Sequence, residues 1–88
     1  PAGLASAYED TPFTRKILQA PQEYLSFALS EGLLFLMNPG ETSAPLVVPN
    51  AIFKGRRVRE LCIDHAHMTL SHAGYRKTLD YLRKEYWW

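Results

Sequence analysis

The chain has 88 residues, of which 47% are hydrophobic and 12% aromatic, so it can form one domain with a modest core but not a large catalytic fold. Its one cysteine, Cys62, excludes an internal disulfide and fits a reducing compartment, which predicts an intracellular protein of the nucleus or cytoplasm. Because no apolar run approaches the ~18 residues that a membrane span requires, we expect no membrane partner. We also expect no small-molecule substrate.

The charge distribution is uneven, although the formal net charge is only +1. Residues 1–53 carry two basic and five acidic residues, whereas residues 54–88 carry eight basic and four acidic residues. A basic second half favours a polyanionic partner such as DNA. The alternative is that these charges belong to ordinary solvated helix faces.

The amino-terminal residues divide into an arm and a first helix. Residues 1–10 begin with a small, apolar run that has no period, which predicts a flexible arm. Thr11 then provides a helix N-cap and Pro12 the first helical position, so a short helix is expected through about Gln19. Pro21 ends this helix.

The next stretch follows the two-residue period of strands. Two apolar runs, 24–29 and 33–37, flank a short connection whose Gly32 can adopt a positive φ, which predicts a β-hairpin. A dense cluster of turn residues follows, and then the run Leu46–Val48 between two prolines, which predicts an edge strand. Residues 11–54 are therefore expected to form a helix plus a three-stranded antiparallel extension.

Two further helices are predicted in the basic half, over about Arg56–Met68 and Gly74–Tyr86. The buried face of the first has the i, i+3, i+4, i+7 spacing and consists of Val58, Leu61, Cys62 and His65. The apolar face of the second consists of Tyr75, Leu79, Leu82 and Tyr86. The chain is therefore expected to be α+β, with a short amino-terminal helix, a three-stranded antiparallel sheet and two carboxyl-terminal helices.

All three histidines of the chain fall within eight residues, at positions 65, 67 and 72. In one unbroken helix, His65 and His72 would be about 10.5 Å apart along the axis, which is too far to share one metal ion. A turn between them would let both imidazoles converge on a zinc ion. Taken alone, however, a histidine on a buried helix face is more often a hydrogen-bonded core residue than a ligand.

Four short sequences follow in a fixed order: Ser-His-Ala-Gly at 71–74, Arg-Lys-Thr-Leu at 76–79, Tyr-Leu-Arg at 81–83 and Tyr-Trp-Trp at 86–88. This order resembles the amino-terminal zinc-binding segment of gypsy-type retrotransposon integrases, and weaker similarity extends over roughly residues 10–88. By resemblance, His65 and His72 match the histidine ligands of that family, and Lys77 with Thr78 matches its Lys-Thr pair. Residues 55–88 would then be a truncated zinc-binding helical segment.

The resemblance implies zinc as the cofactor of the family, held by two histidines and a Cys-x-x-Cys pair. That pair lies downstream of the aromatic end in the family and is not among the 88 residues. We therefore expect zinc to be absent or weakly bound here, with Cys62 as the candidate third ligand. His67 could join His65 as a zinc ligand only if the helix unwound.

The function that the resemblance implies is a non-catalytic module of an integrase polyprotein, which helps to bind the element's DNA ends and to assemble integrase multimers. The acidic residues show no arrangement suited to two-metal strand transfer, so we expect no enzymatic activity. The candidate DNA-binding residues are Arg56, Arg57, Arg59, Arg76, Lys77, Arg83 and Lys84. The alternative is a protein-interaction or dimerisation domain without DNA binding, which would associate through the sheet edge and an under-packed aromatic end, 86–88.

Overall fold

The computed structural model describes residues 2–70 and 74–88, except for the side chain of Ala2. Its elements in chain order are α1 (Ala2–Asp10), α2 (Pro12–Gln19), a 3₁₀ turn (Pro21–Glu23), β1 (Phe27–Ser30), β2 (Leu33–Leu36), β3 (Leu46–Val47), β4 (Ile52–Phe53), β5 (Arg56–Arg57), α3 (Val58–Thr69), α4 (Tyr75–Glu85) and β6 (Tyr86–Trp87). The α+β class is confirmed. None of the helices in the described ranges has the length and apolarity needed to cross a membrane.

The main sheet has four strands in the order β1-β2-β3-β6. The predicted hairpin is present, because β1 and β2 pair antiparallel from Phe27 opposite Leu36 to Ser30 opposite Leu33. Its two-residue turn, Glu31 and Gly32, has positive φ at both positions, as in the turns whose twist matches that of paired strands.

The third strand is not at the edge of the sheet, in contrast to the prediction from its flanking prolines. β3 pairs antiparallel with β2 on one side and parallel with β6 on the other. The prolines do not block this pairing, since the Pro45 carbonyl accepts a hydrogen bond from the Leu36 N–H and the Val48 N–H donates to the Trp87 carbonyl, both at 2.9 Å. The edge strands of this sheet are therefore β1 and β6.

A second, two-stranded sheet precedes α3 and was not predicted. Residues 52 and 53 of β4 pair with residues 57 and 56 of β5. Lys54 and Gly55 form the turn with φ values of 51° and 80°. The helix predicted from about Arg56 consequently begins at Val58 and ends at Thr69.

The core forms where α1 and α2 cover the main sheet, around the buried side chains of Tyr8, Ile17, Leu34 and Val47. The Tyr8 hydroxyl donates a 2.7 Å hydrogen bond to the Val47 carbonyl and accepts one of 3.2 Å from the Leu34 N–H. Burial raises the pKa of Tyr8, and the Leu34 hydrogen bond opposes that rise. Residues 2–10, which were predicted to be a flexible arm, therefore form a helix that supplies a central core residue.

The aromatic end is packed at Trp87, contrary to the prediction. The parallel pairing of β6 with β3 places Trp87 over the core, where its ring centroid lies 5.9 Å from that of Phe13 and 5.5 Å from that of Phe27. Trp88 is 45% exposed, and its ring lies 5.7 Å from the Arg59 guanidinium carbon. Of the three residues of the aromatic end, Trp88 is therefore the exposed one, whereas Tyr86 and Trp87 are half-buried.

Candidate metal and nucleic-acid site

His65 lies on α3 with an exposed side chain, although its spacing predicted a buried one. The buried residue of this turn is Ala66. Successive helical residues point about 100° apart, so the buried face is rotated away from the imidazole. The Nε2 atom lies 3.4 Å from the Thr69 hydroxyl, and the ring centroid lies 6.5 Å from that of Tyr81 on α4. The imidazole is therefore accessible to a metal ion from solvent.

The second predicted histidine ligand, His72, lies outside the described residues. α3 ends at Thr69 and α4 begins at Tyr75, so the two helices are separate, as the convergence of the histidines requires. Whether His72 meets His65 stays a prediction.

Cys62 does not join His65 in a ready-made metal site. Its thiol is half-buried, and burial raises its pKa, which disfavours the thiolate that a metal needs. The thiol lies near the Tyr86 phenol. The pKa of Tyr86 is raised mainly by burial and, to a smaller extent, by Cys62. Within residues 2–70 and 74–88, no group of three histidine, cysteine or acidic side chains is placed to hold a metal. His65, the histidine that the resemblance assigns as a ligand, is exposed and therefore accessible to a zinc ion.

The four predicted basic residues of α4 share one exposed face. Arg76, Lys77, Arg83 and Lys84 are all exposed, and their i, i+1, i+7, i+8 spacing confines them to about one third of the helix circumference. We call these four residues the α4 basic face. In the described part of the chain none of them forms an ion pair. Asp80 lies in the middle of the face, also exposed.

The opposite side of α4 packs toward α3. Leu79 and Leu82 are half-buried and, with Ile63 and His67 of α3, line a cavity of about 340 Å³ between the helices. Tyr75, which was predicted on this apolar face, is 82% exposed because it occupies the first position of the helix. The packing against α3 thus orients the α4 basic face toward solvent.

The three arginines of β5 and the start of α3 are placed differently from one another. Arg56 is paired with both Glu60 and Asp64, and hydrogen bonds to these carboxylates raise its pKa. Arg59 is half-buried, with its guanidinium 3.4 Å from the Val48 carbonyl oxygen. Arg57 is exposed, and its nearest polar partner is the Asn50 side chain at 3.4 Å. The acidic partners of Arg56 stand at i+4 and i+8, a spacing that sequence alone could have flagged.

Of the seven predicted DNA-binding residues, the structure brings four together on one face and leaves Arg57 exposed on β5. Arg56 and Arg59 are occupied by contacts within the chain. The sequence analysis did not single out Phe53, an exposed aromatic residue on β4. The local signal for the β4–β5 hairpin is a Lys-Gly turn between the apolar pair 52–53 and the basic pair 56–57.

Comparison with known families places this geometry in context. Residues 55–88 match the family model of the integrase zinc binding domain. This match confirms the predicted resemblance to an integrase zinc-binding domain for residues 55–88. No curated protein and no solved structure matches the chain significantly.

Proposed function

We propose that the chain is an amino-terminal module of a gypsy-type retrotransposon integrase, which helps to bind the element's DNA ends and to assemble integrase multimers. The observation that carries the proposal is the α4 basic face, which lies within the matched segment and is exposed. Its four cations have no acidic partner in the described part of the chain, so they remain available to phosphates.

Lysine and arginine contacts to phosphates bind without reading the sequence and release counterions. The α4 basic face is suited to that task, because Arg76 and Arg83 lie two turns apart, about 10.5 Å along the helix. Their side chains can therefore reach separate phosphates of one duplex. Arg57 can add a further contact, whereas Arg56 would first have to leave Glu60 and Asp64.

Zinc belongs to this proposal because the family that residues 55–88 match is a zinc binding domain. His65 and His72 would supply its histidine ligands, and a structural zinc contributes folding energy to the segment that holds it. We infer no chemical step for this module. The strand-transfer reaction would belong to a separate catalytic core of the parent polyprotein.

Self-association is the second candidate function, and the exposed edge of the main sheet favours it. β1 is an end strand of that sheet, and Leu29 within it is exposed. An unpaired strand edge with an apolar side chain is a site where a second copy can add. Concentration-dependent sedimentation without DNA affinity would favour this candidate over DNA binding.

The test of DNA binding is fluorescence anisotropy with a labelled blunt duplex. The double variant Lys77→Ala/Arg83→Ala removes two cations from the α4 basic face. The matched control, Arg15→Ala/Lys16→Ala, removes two exposed cations from α2. We expect the first variant to lose about tenfold or more in affinity and the control to lose little, because only the first removes proposed phosphate contacts. Equal losses would show that net charge alone is responsible and would overturn the assigned face.

A further inference from the structure

The β4–β5 hairpin presents two large apolar side chains to solvent. Ile52 is 70% exposed and Phe53 is 53% exposed. The hairpin is short, with two residues in each strand, so these side chains occupy most of β4. They do not contribute to the core around Tyr8 and Leu34.

The chain holds this hairpin in a fixed position. The two-residue turn at Lys54 and Gly55 sets the register of the strands, and the Val58 N–H closes the base with a 2.9 Å hydrogen bond to the Ala51 carbonyl. Arg56, the partner of Phe53 across the strands, is anchored to α3 through Glu60 and Asp64. Phe53 is therefore an exposed ring on an ordered hairpin. Less conformational entropy is lost when such a ring binds a ligand.

The hairpin and its neighbours in sequence are basic. Residues 50–59 contain four basic residues and no acidic residue. Arg56, Arg57 and Arg59 each have a contact within the chain, and Lys54 is the basic residue that lies next to the ring. The Lys54 ammonium nitrogen lies 5.3 Å from the centroid of the Phe53 ring. An aromatic ring with a cation beside it is a combination that can bind a base and a phosphate together.

We propose that the β4–β5 hairpin binds unpaired nucleotides, with one base stacked on Phe53 and the adjacent phosphate held by Lys54. The ring can stack only on a base that is free of its own helix, so the ligand is a single strand or a single-stranded overhang. An apolar protein partner fits less well, because covering Phe53 would also desolvate the ammonium group beside it.

This inference goes beyond the proposed contact between α4 and a duplex, and the two are separable in one experiment. Binding of a labelled oligothymidylate of roughly 10 nucleotides is compared with binding of a blunt duplex by anisotropy. Phe53→Leu keeps an apolar side chain but removes the ring, and Phe53→Tyr keeps the ring. Thermal melting confirms that each variant is folded.

We expect Phe53→Leu to weaken oligothymidylate binding about tenfold and to leave duplex binding unchanged, because stacking on an aromatic ring is lost. Phe53→Tyr should remain close to the wild-type protein on both ligands. The proposal is overturned if Phe53→Leu binds oligothymidylate as the wild-type protein does, or if both variants weaken it equally. It is also overturned if Phe53→Leu changes only self-association in sedimentation, which would assign the hairpin to a second copy of the chain. If the protein does not bind the duplex but Phe53→Leu still weakens oligothymidylate binding, only the proposed α4 contact is contradicted.

Discussion

The Tyr8 hydroxyl and the Val47 carbonyl oxygen lie 2.7 Å apart in the buried centre of the molecule. This hydrogen bond joins the first helix to the third strand across 39 residues of sequence. The same hydroxyl accepts the Leu34 N–H, so one phenol satisfies polar groups of two neighbouring strands. The position of α1 on the sheet depends on this side chain.

Replacing Tyr8 with phenylalanine should lower the free energy of unfolding by about 1–3 kcal/mol, because buried backbone groups of residues 34 and 47 lose a partner. Urea denaturation measures the difference. Tyr75→Phe is the matched control, since Tyr75 is 82% exposed and its hydroxyl should contribute little. Equal unfolding midpoints for the two variants would contradict the role assigned to Tyr8.

Some of this fold could be predicted from local patterns and some could not. The period of two and the Glu-Gly turn were sufficient for the first hairpin, because both signals lie within adjacent residues. The pairing of Leu46 with Tyr86 joins segments 40 residues apart through strands of two residues each. Such a short parallel pair has no local signature, so the sequence predicted an edge where the structure has an interior strand. The helix at residues 2–10 has no apolar period that would predict it, although its alanine and leucine residues favour helices.

The candidate site could likewise be predicted only in part from local patterns. The spacing of the cations on α4 predicted one exposed face, and the structure places all four there. The exposure of His65 was predicted incorrectly because the buried face of α3 includes Ala66, which a pattern of large apolar residues does not mark. The contact of Arg59 with the Val48 carbonyl is a tertiary interaction, and no local pattern indicates it.

The two adjacent tryptophans at the end of the chain should differ sharply in their effect on stability. Trp87→Ala should lower the free energy of unfolding by about 3 kcal/mol, because it removes the ring that packs on Phe13 and Phe27. Trp88→Ala should cost less than about 1 kcal/mol, since this side chain is 45% exposed and contacts Arg59. Chemical denaturation of both variants gives the comparison. A larger loss at Trp88 than at Trp87 would show that β6 does not pack as described.

Asp80→Asn should increase the affinity for duplex DNA, by roughly threefold at low salt, because the carboxylate lies within the α4 basic face and repels phosphates. The gain should shrink as salt rises. Glu85→Gln makes the same charge change on another side of the same helix and serves as the control. If both substitutions raise the affinity equally, the position of Asp80 has no special effect and binding follows net charge.

Chelation should change the melting temperature of the 88-residue polypeptide little. Its core residues Tyr8, Ile17, Leu34 and Val47 lie outside the segment 55–88 that matches the zinc binding domain, and we expect them to pack without a metal. Atomic spectroscopy after gel filtration and melting with and without chelator test this. One tightly held zinc per chain, with a large loss of stability on chelation, would contradict the prediction. Zinc content of Cys62→Ser would then decide whether the thiol is the additional ligand.

The salt dependence of duplex binding tests the central claim most directly, because it counts the phosphates that the protein neutralises. If the four residues of the α4 basic face each contact a phosphate, log affinity should fall against log salt with a slope of roughly −3.6, and with about half that slope for Lys77→Ala/Arg83→Ala. A slope near zero, or the same slope in the variant and the wild-type protein, would contradict the proposal that this module binds DNA through α4.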